Sequence, residues 1–218
     1  IRAHYPQPQA GFQDFGAAFA ALEHGGRGAA ARVAAIATNA AEPAIVRASA
    51  LARLGGHAAA LDREPLLATL RDPSPLVRRA ATRLAVEHPQ GALADLLPLL
   101  HDPVRSVRLE AAAMLAALPP GSLDPAAAAS LDAALKEYVA SERFNADRPE
   151  SLVNLGSVLG ARGDLDGAQR AFEAAQRRDP GFLPAYVNLA DIYRASGQEQ
   201  KAEQVLRTAL RHAGASGS

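Results

Sequence analysis

The sequence contains no cysteine and no tryptophan, and only 5% of its residues are aromatic. The absence of cysteine excludes disulfides, thiolate nucleophiles and cysteine-ligated metal sites. No run approaches the roughly 18 consecutive apolar residues that a membrane-spanning helix needs, so no transmembrane span is predicted. Because strands favour aromatic and β-branched side chains, a chain this rich in alanine is predicted to be all-α.

The chain also lacks an excess of either charge, with 23 basic and 23 acidic side chains. Phosphate neutralisation dominates the affinity of nucleic-acid binders, which usually carry a basic stripe. No nucleic-acid partner is therefore predicted. The 49% of apolar and 21% of charged residues are typical of a folded globular chain.

Motifs for catalysis are missing as well. The sequence has no G-x-S-x-G nucleophile elbow, no glycine-rich phosphate or dinucleotide loop and no H-E-x-x-H pair. Its six histidines are scattered singly. Since no acid, base and nucleophile come together, the chain is predicted to be non-catalytic, with no cofactor or metal bound within it.

The clearest positive feature is a repeat of 34 residues that begins at Pro149. Large and small positions recur in phase: Leu152 as Tyr186, Leu155 as Leu189, Gly156 as Ala190, Gly163 as Gly197, Ala168 as Ala202, Phe172 as Leu206 and Ala175 as Ala209. This pattern resembles the tetratricopeptide repeat. Small residues are expected where the two helices of a repeat cross, and Gly163 and Gly197 are expected to end the first helix in the left-handed conformation.

A weaker period of about 30 residues precedes it. Asp72-Pro73 with Val77-Arg78 recurs as Asp102-Pro103 with Val107-Arg108, and less well as Glu42-Pro43 with Val46-Arg47. The pattern resembles short bacterial HEAT repeats. We expect each aspartate to cap a helix whose first residue is the proline. Helices are predicted over Phe12–His24, Ala29–Thr38, Pro43–Leu54, Arg63–Leu70, Pro75–Glu87, Gly91–Leu100 and Pro103–Ala117.

The domain organisation follows from these two periods. We predict a lead-in and first helix over 1–26, HEAT-like repeats over 27–120 and a joining half-repeat helix over 121–148. Two tetratricopeptide repeats follow over 149–213, with a disordered tail over 214–218. Together the blocks are predicted to form one right-handed α-solenoid of antiparallel helix pairs.

Three arginines, Arg47, Arg78 and Arg108, occur once per HEAT-like unit. They have two interpretations. A basic ladder along one face would attract an anionic partner. Alternatively, each arginine bonds the capping carboxylate of a neighbouring repeat, Glu42, Asp72 or Asp102, and stabilises the stack.

A candidate binding site centres on Asn154 and Asn188, which occupy the same place in the two tetratricopeptide repeats. In this family that place faces the concave groove. Because an amide carries two donors and an acceptor, a column of asparagines can bond the main chain of an extended peptide, which resembles the asparagine ladder of O-linked N-acetylglucosamine transferases.

The carboxylate clamp of co-chaperones also needs groove lysines, and the chain has only Lys136 and Lys201. Neighbouring groove positions are Val153, Ser157, Val187, Asp191 and Arg194. The alternative is that these asparagines only pack helices.

The last helix suggests a second contact. Solenoids usually end in a polar capping helix, but Val205, Leu206, Ala209 and Leu210 form an apolar face without an obvious cover. A homodimer or a docked protein is predicted there.

The order of the parts carries a further resemblance. A lead-in from His4 to Leu22, the HEAT-like units, a joint over Leu135–Glu150 and the tetratricopeptide repeats resemble the C-terminal half of certain bacterial multihaem cytochrome c proteins. This resemblance implies a c-type haem domain before Ile1, an excised docking module and a periplasmic location. The chain itself has no C-x-x-C-H motif, so two hypotheses stand: a protein-interaction scaffold that binds an extended segment, or the docking half of an exported electron-transfer protein.

Overall fold

The computed structural model describes residues 14–89, 93–119 and 121–215. Those residues form helices and turns without a strand, as the sequence predicts. The α-helices are α1 (Asp14–Glu23), α2 (Ala29–Thr38), α3 (Ala44–Arg53), α4 (Arg63–Thr69), α5 (Pro75–Glu87), α6 (Arg105–Leu115), α7 (Pro125–Phe144), α8 (Pro149–Ala161), α9 (Leu165–Arg178), α10 (Leu183–Ala195) and α11 (Glu199–Ala215). Two 3-10 helices cover Ala58–Ala60 and Leu93–His101. Most of the predicted lead-in, and the predicted helix start at Phe12, lie outside the described residues.

The helices group into two compact units, residues 1–114 and 115–218. In the first unit α2 packs on α1 and α3, and α5 packs on α3 and α4. In the second unit each helix from α7 to α11 packs on the next. Each unit is therefore a row of helices that bury one face against their sequence neighbours, the arrangement expected of helical repeats.

The N-cap aspartates predicted in the first unit are not the residues that cap its helices. The bounds of α2 and α5 are those predicted, but Ser74, not Asp72, is the N-cap residue of α5. The Asp72 carboxylate instead accepts the Ser74 N–H at 2.8 Å, and that of Asp102 accepts the Val104 N–H at 2.8 Å. The aspartates therefore close a turn around the proline, and the helix begins three residues after the aspartate.

The helix predicted over Gly91–Leu100 is a 3-10 helix over Leu93–His101, and Gly91 lies outside the described part of the chain. Pro98 lies inside this segment. Proline has no N–H and clashes with the carbonyl four residues earlier, so an α-helix cannot continue through it. The tighter 3-10 turn takes its place.

Arg47 and Arg78 stabilise the first unit by bonding the carboxylate of the next repeat. Arg78 binds both oxygens of Asp102, with Nε–Oδ2 and Nη2–Oδ1 distances of 2.7 and 2.9 Å. Arg47 binds Asp72 in the same way. Their side chains are only 5–12% exposed. The structural interpretation of the ladder is thus confirmed for these two arginines.

Each arginine also bonds the turn before its own helix. Arg47 Nε donates to the Glu42 carbonyl at 3.2 Å, Arg78 Nη1 to the Asp72 carbonyl at 2.8 Å and Arg108 Nη1 to the Asp102 carbonyl at 2.9 Å. In the first repeat this second contact of Arg47 is to the main chain of Glu42. A carbonyl accepts whatever the side chain of that residue is, so this contact tolerates glutamate in the first repeat.

A third buried carboxylate was not predicted from the sequence. Glu110, whose side chain is 6% exposed, accepts Nε–H groups from Arg79 at 3.0 Å and Arg83 at 2.5 Å. The two arginines lie one turn apart on α5, so they share one face. This contact ties α5 to α6.

The buried aspartates make the stability of the first unit depend on pH. Burial raises the pKa of the Asp102 carboxyl, but the hydrogen bonds from Arg78 and the Val104 N–H outweigh it, and the pKa lies below its ordinary value near 3.8. The same balance, with Arg47 and Ser74 as donors, lowers the pKa of Asp72. A carboxylate with a lowered pKa in the folded state stabilises the fold above its unfolded pKa, and this stabilisation is lost as the pH falls through the folded pKa.

We therefore expect replacement of both residues by asparagine to lower the melting temperature at neutral pH and to flatten its decline below about pH 4. Asparagine keeps an oxygen for the turn N–H but does not titrate. Thermal unfolding measured over a pH series checks this. An equally steep acid decline in the double variant would show that other groups control it.

The second unit confirms the predicted roles of its glycines. Gly163 and Gly197 have φ angles of 85° and 70° at the ends of α8 and α10, where L side chains are strained. Gly156 lies against the ring of Phe172, and a Cβ built on it would come within 2.5 Å of a ring carbon. The predicted crossing of α8 and α9 therefore does require glycine. The predicted tail begins later than expected, since α11 continues to Ala215, and residues 216–218 lie outside the described range.

Candidate peptide-binding groove

The predicted groove residues lie on α8 and α10, which contact each other in the second unit. Asn188 Nδ2 on α10 lies 3.5 Å from Ser157 Oγ on α8, and Ser157 Oγ donates to the Val153 carbonyl at 2.9 Å. The serine hydroxyl thus accepts from one helix and donates within the other. Two of the predicted site residues, 31 positions apart, are brought together.

The predicted groove residues differ in how much of each is exposed to solvent. Asn154, Ser157, Val187, Asp191 and Arg194 are exposed, and Asn188 is half-buried. Val153 corrects the prediction, because it is only 9% exposed and belongs to the apolar core of the unit. Val187, at the equivalent place one repeat later, is 48% exposed, so the neighbours of Val153 cover it.

Asp191 and Arg194 form an ion pair at 2.9 Å, with side chains 63% and 47% exposed. A pair so open to water contributes little to stability. Exchanging this partner for a ligand group therefore costs little, and the groove can offer either sign of charge to an incoming segment.

Two buried tyrosines hold α10 in position. The Tyr186 hydroxyl donates to the Pro180 carbonyl at 3.0 Å, which fixes the turn between α9 and α10. Burial, together with the Asp179 carboxylate, raises the pKa of Tyr186, and burial with Glu173 raises that of Tyr193. Both phenols remain protonated at neutral pH, so neither serves as a base, and both are buried in the packing of α10.

The groove has no feature of a catalytic or metal centre. Among the described residues, no three histidine or acidic side chains lie close enough to hold a metal ion. Nor does any helix in that part of the chain have the length and apolarity to cross a membrane. The predicted site residues on α8 and α10 offer amides, a hydroxyl, one ion pair and the exposed Val187.

The apolar face predicted on α11 is mostly covered. Val205 and Leu206 pack against the core of the second unit, and Ala209 is buried. Of the four predicted residues only Leu210 is exposed, at 72%. One leucine is far below the area of a stable interface, so this face gives no support for the predicted homodimer.

Sequence reasoning missed a cavity between α7 and α8 whose edge carries Lys136 and Arg143. The two cations are seven residues apart and so lie on one face of α7. That spacing, with apolar residues between them, is visible in the sequence and could have indicated the site.

The comparisons with known proteins identify two repeat families. Residues 63–146 match the family of HEAT repeats, and residues 160–216 match the tetratricopeptide repeat. The HEAT match includes α7, which the sequence analysis interprets as a tetratricopeptide-like half-repeat. Neither the curated proteins nor the solved structures gave a match to the chain. The resemblance to multihaem cytochromes stays a prediction, and the chain is shown to contain HEAT and tetratricopeptide repeats.

Proposed function

We propose that this chain is a non-catalytic protein-interaction scaffold whose second unit binds an extended peptide across α8 and α10. Repeats of both families suggest a scaffold for protein partners in general. The observation that supports the finer proposal is the contact of Asn188 with Ser157 across the two helices, with Asn154 exposed at the equivalent place one repeat earlier.

The chemistry of these groups suits a main chain. An extended peptide carries N–H and C=O groups that need partners when water is displaced. Asn154 and Asn188 each offer two donors and an acceptor. The 3.5 Å distance from Asn188 to Ser157 is at the long end for a hydrogen bond, so a ligand can replace it at small cost. Val187, 48% exposed, adds an apolar contact.

The test begins with peptides selected from a random displayed library against the full chain. We expect the combined variant Asn154→Ala and Asn188→Ala to bind a selected peptide about thirtyfold more weakly, since two hydrogen bonds of about 1 kcal/mol each are lost. Isothermal titration calorimetry measures this. Gln200→Ala removes an exposed amide from α11 and serves as the control. If the asparagine variant bound the selected peptide as tightly as wild type does, the proposed groove would be contradicted.

We also propose, from the sequence resemblance alone, that the chain is the docking module of an exported multihaem cytochrome c and that it is periplasmic. Both rest on the order of the lead-in, the HEAT-like units and the tetratricopeptide repeats. The gene sequence upstream of Ile1 tests them. Paired C-x-x-C-H motifs there would support this second function, and their absence would remove it.

A further inference from the structure

A cavity of about 350 Å³ opens between α7 and α8, and all of its lining residues belong to the second unit. Neither Asn154 nor Asn188 lines it, so it is distinct from the proposed groove. Its volume lies at the lower end of the range for ligand sites in proteins. One side chain or a few atoms of a larger ligand would fill it.

The cavity has an apolar floor. Leu135 and Val158 are buried, and Val139 and Leu159 are half-buried. These four residues come from both helices, so the packing of α7 on α8 fixes the shape of the floor. An apolar side chain that entered would lose its contact with water, the main source of favourable free energy at such anchors.

The edge of the cavity is positively charged. Lys136, Arg143 and Arg162 line it, against one carboxylate, Asp132. Arg162 binds Asp132 at 3.1 Å. Within the described residues, neither Lys136 nor Arg143 has an acidic partner, and both are exposed. Because the whole chain has no net charge, this local excess favours an acidic ligand.

We infer that this cavity binds an acidic peptide segment that inserts one aliphatic or aromatic side chain. The floor would take that side chain, and Lys136 and Arg143 would pair with carboxylates on either side of it. The apolar floor favours a peptide over a nucleic acid, whose contacts with such an edge are mainly to phosphate. The segment would therefore be recognised by one apolar anchor between negative charges.

The experiment uses the full chain and a fluorescently labelled synthetic peptide with a central phenylalanine flanked by glutamates. Fluorescence anisotropy measures its affinity. We expect the combined variant Lys136→Ala and Arg143→Ala to bind about tenfold more weakly, because charged groups around a desolvated anchor contribute strongly. Two altered peptides, one with serine for the phenylalanine and one with glutamines for the glutamates, should lose affinity to a similar extent. Added salt should weaken binding.

Three controls make the result specific. Arg170→Ala removes an exposed arginine from α9 and should leave binding unchanged. Val139→Ser changes the floor at a half-buried position, should weaken binding, and is checked for intact folding by circular dichroism. The combined variant Asn154→Ala and Asn188→Ala should bind the acidic peptide as wild type does, which separates this site from the groove.

Several outcomes would overturn the inference. One is that the acidic peptide shows no measurable binding. Others are that the Lys136 and Arg143 variant binds it as tightly as wild type does, or that the glutamine peptide binds as tightly as the glutamate peptide. A last one is that a single-stranded oligonucleotide competes more effectively than unlabelled peptide. Loss of binding in the asparagine variant would assign the peptide to the groove instead.

Discussion

Replacing Arg78 by methionine is expected to lower the free energy of unfolding of the first unit by about 3–5 kcal/mol. Arg78 and Asp102 are almost fully buried, and the arginine satisfies both carboxylate oxygens. Methionine would fill part of the space but leave the Asp102 charge without its main partner. Breaking such a pair costs much more than the intact pair contributes, because a buried lone charge has lost its hydration without compensation.

Two further variants separate this cause from a general effect of losing an arginine. Arg71→Met removes an exposed arginine from the same unit and should change stability by less than about 0.5 kcal/mol. Adding Asp102→Asn to Arg78→Met removes the stranded charge but keeps an oxygen for the Val104 N–H, so part of the loss should return. Urea unfolding followed by circular dichroism measures all three. A loss of stability with Arg78→Met no larger than with Arg71→Met would contradict the stabilising role of the buried Arg78–Asp102 pair.

Replacing Gly156 by alanine should destabilise the second unit by about 1–3 kcal/mol, the usual cost of overpacking a core. The added Cβ would lie 2.5–2.8 Å from three carbons of the Phe172 ring. A Cβ has no rotamer by which to avoid the clash, and Phe172 is only 2% exposed, so α8 and α9 must separate. This loss outweighs the helix-propensity gain of about 1 kcal/mol from replacing a helical glycine.

Gly160 provides the matched control one turn later in α8. A Cβ there would lie 3.1 Å from the terminal methyl of Ile192 and 3.5 Å from the Ala168 Cβ. A terminal methyl of isoleucine can move by a few tenths of an ångström, so Gly160→Ala should be neutral or stabilising by up to about 1 kcal/mol. Thermal and urea unfolding compare the two. A loss with Gly160→Ala as large as with Gly156→Ala would show that helix crossing is not what selects glycine.

The Arg78 and Gly156 variants probe two kinds of helix contact, one between repeats and one within a repeat. In the first unit, a charged side chain from one repeat bonds a carboxylate of the next, as Arg47 does with Asp72. In the second unit, Gly156 has no side chain, so the buried Phe172 ring of α9 lies directly against the backbone of α8. The first contact depends on pH through the aspartates, whereas the contact of Gly156 with Phe172 contains no titrating group.

Much of the local structure could be predicted from the sequence. The 34-residue period predicted the positions of Gly156, Gly163 and Gly197 correctly, because a positive φ or a close helix crossing permits few other residues. The bounds of α5 were predicted too. The N-cap of α5 was assigned to Asp72 instead of Ser74, and α6 was started at Pro103 instead of Arg105, because an Asp-Pro pair can either cap a helix or close a turn before one. Pro98 was overlooked as a helix breaker.

The candidate sites were less predictable. Asn154 and Asn188 were chosen as candidates because they recur in phase, but Val153 was wrongly included, since helical spacing gives the direction of a side chain and not how closely its neighbours cover it. The α7–α8 cavity was missed because its floor combines residues from two helices.

The sequence by itself determined that this is an all-helical repeat protein, where its helices turn, and which positions must be small, since these depend on spacing and on local backbone constraints. Only the tertiary structure decided which carboxylate each arginine bonds, that Val153 and most of the apolar face of α11 are covered, and that Lys136 and Arg143 border an apolar cavity. These facts depend on distances between residues on different helices, which no period within the sequence specifies.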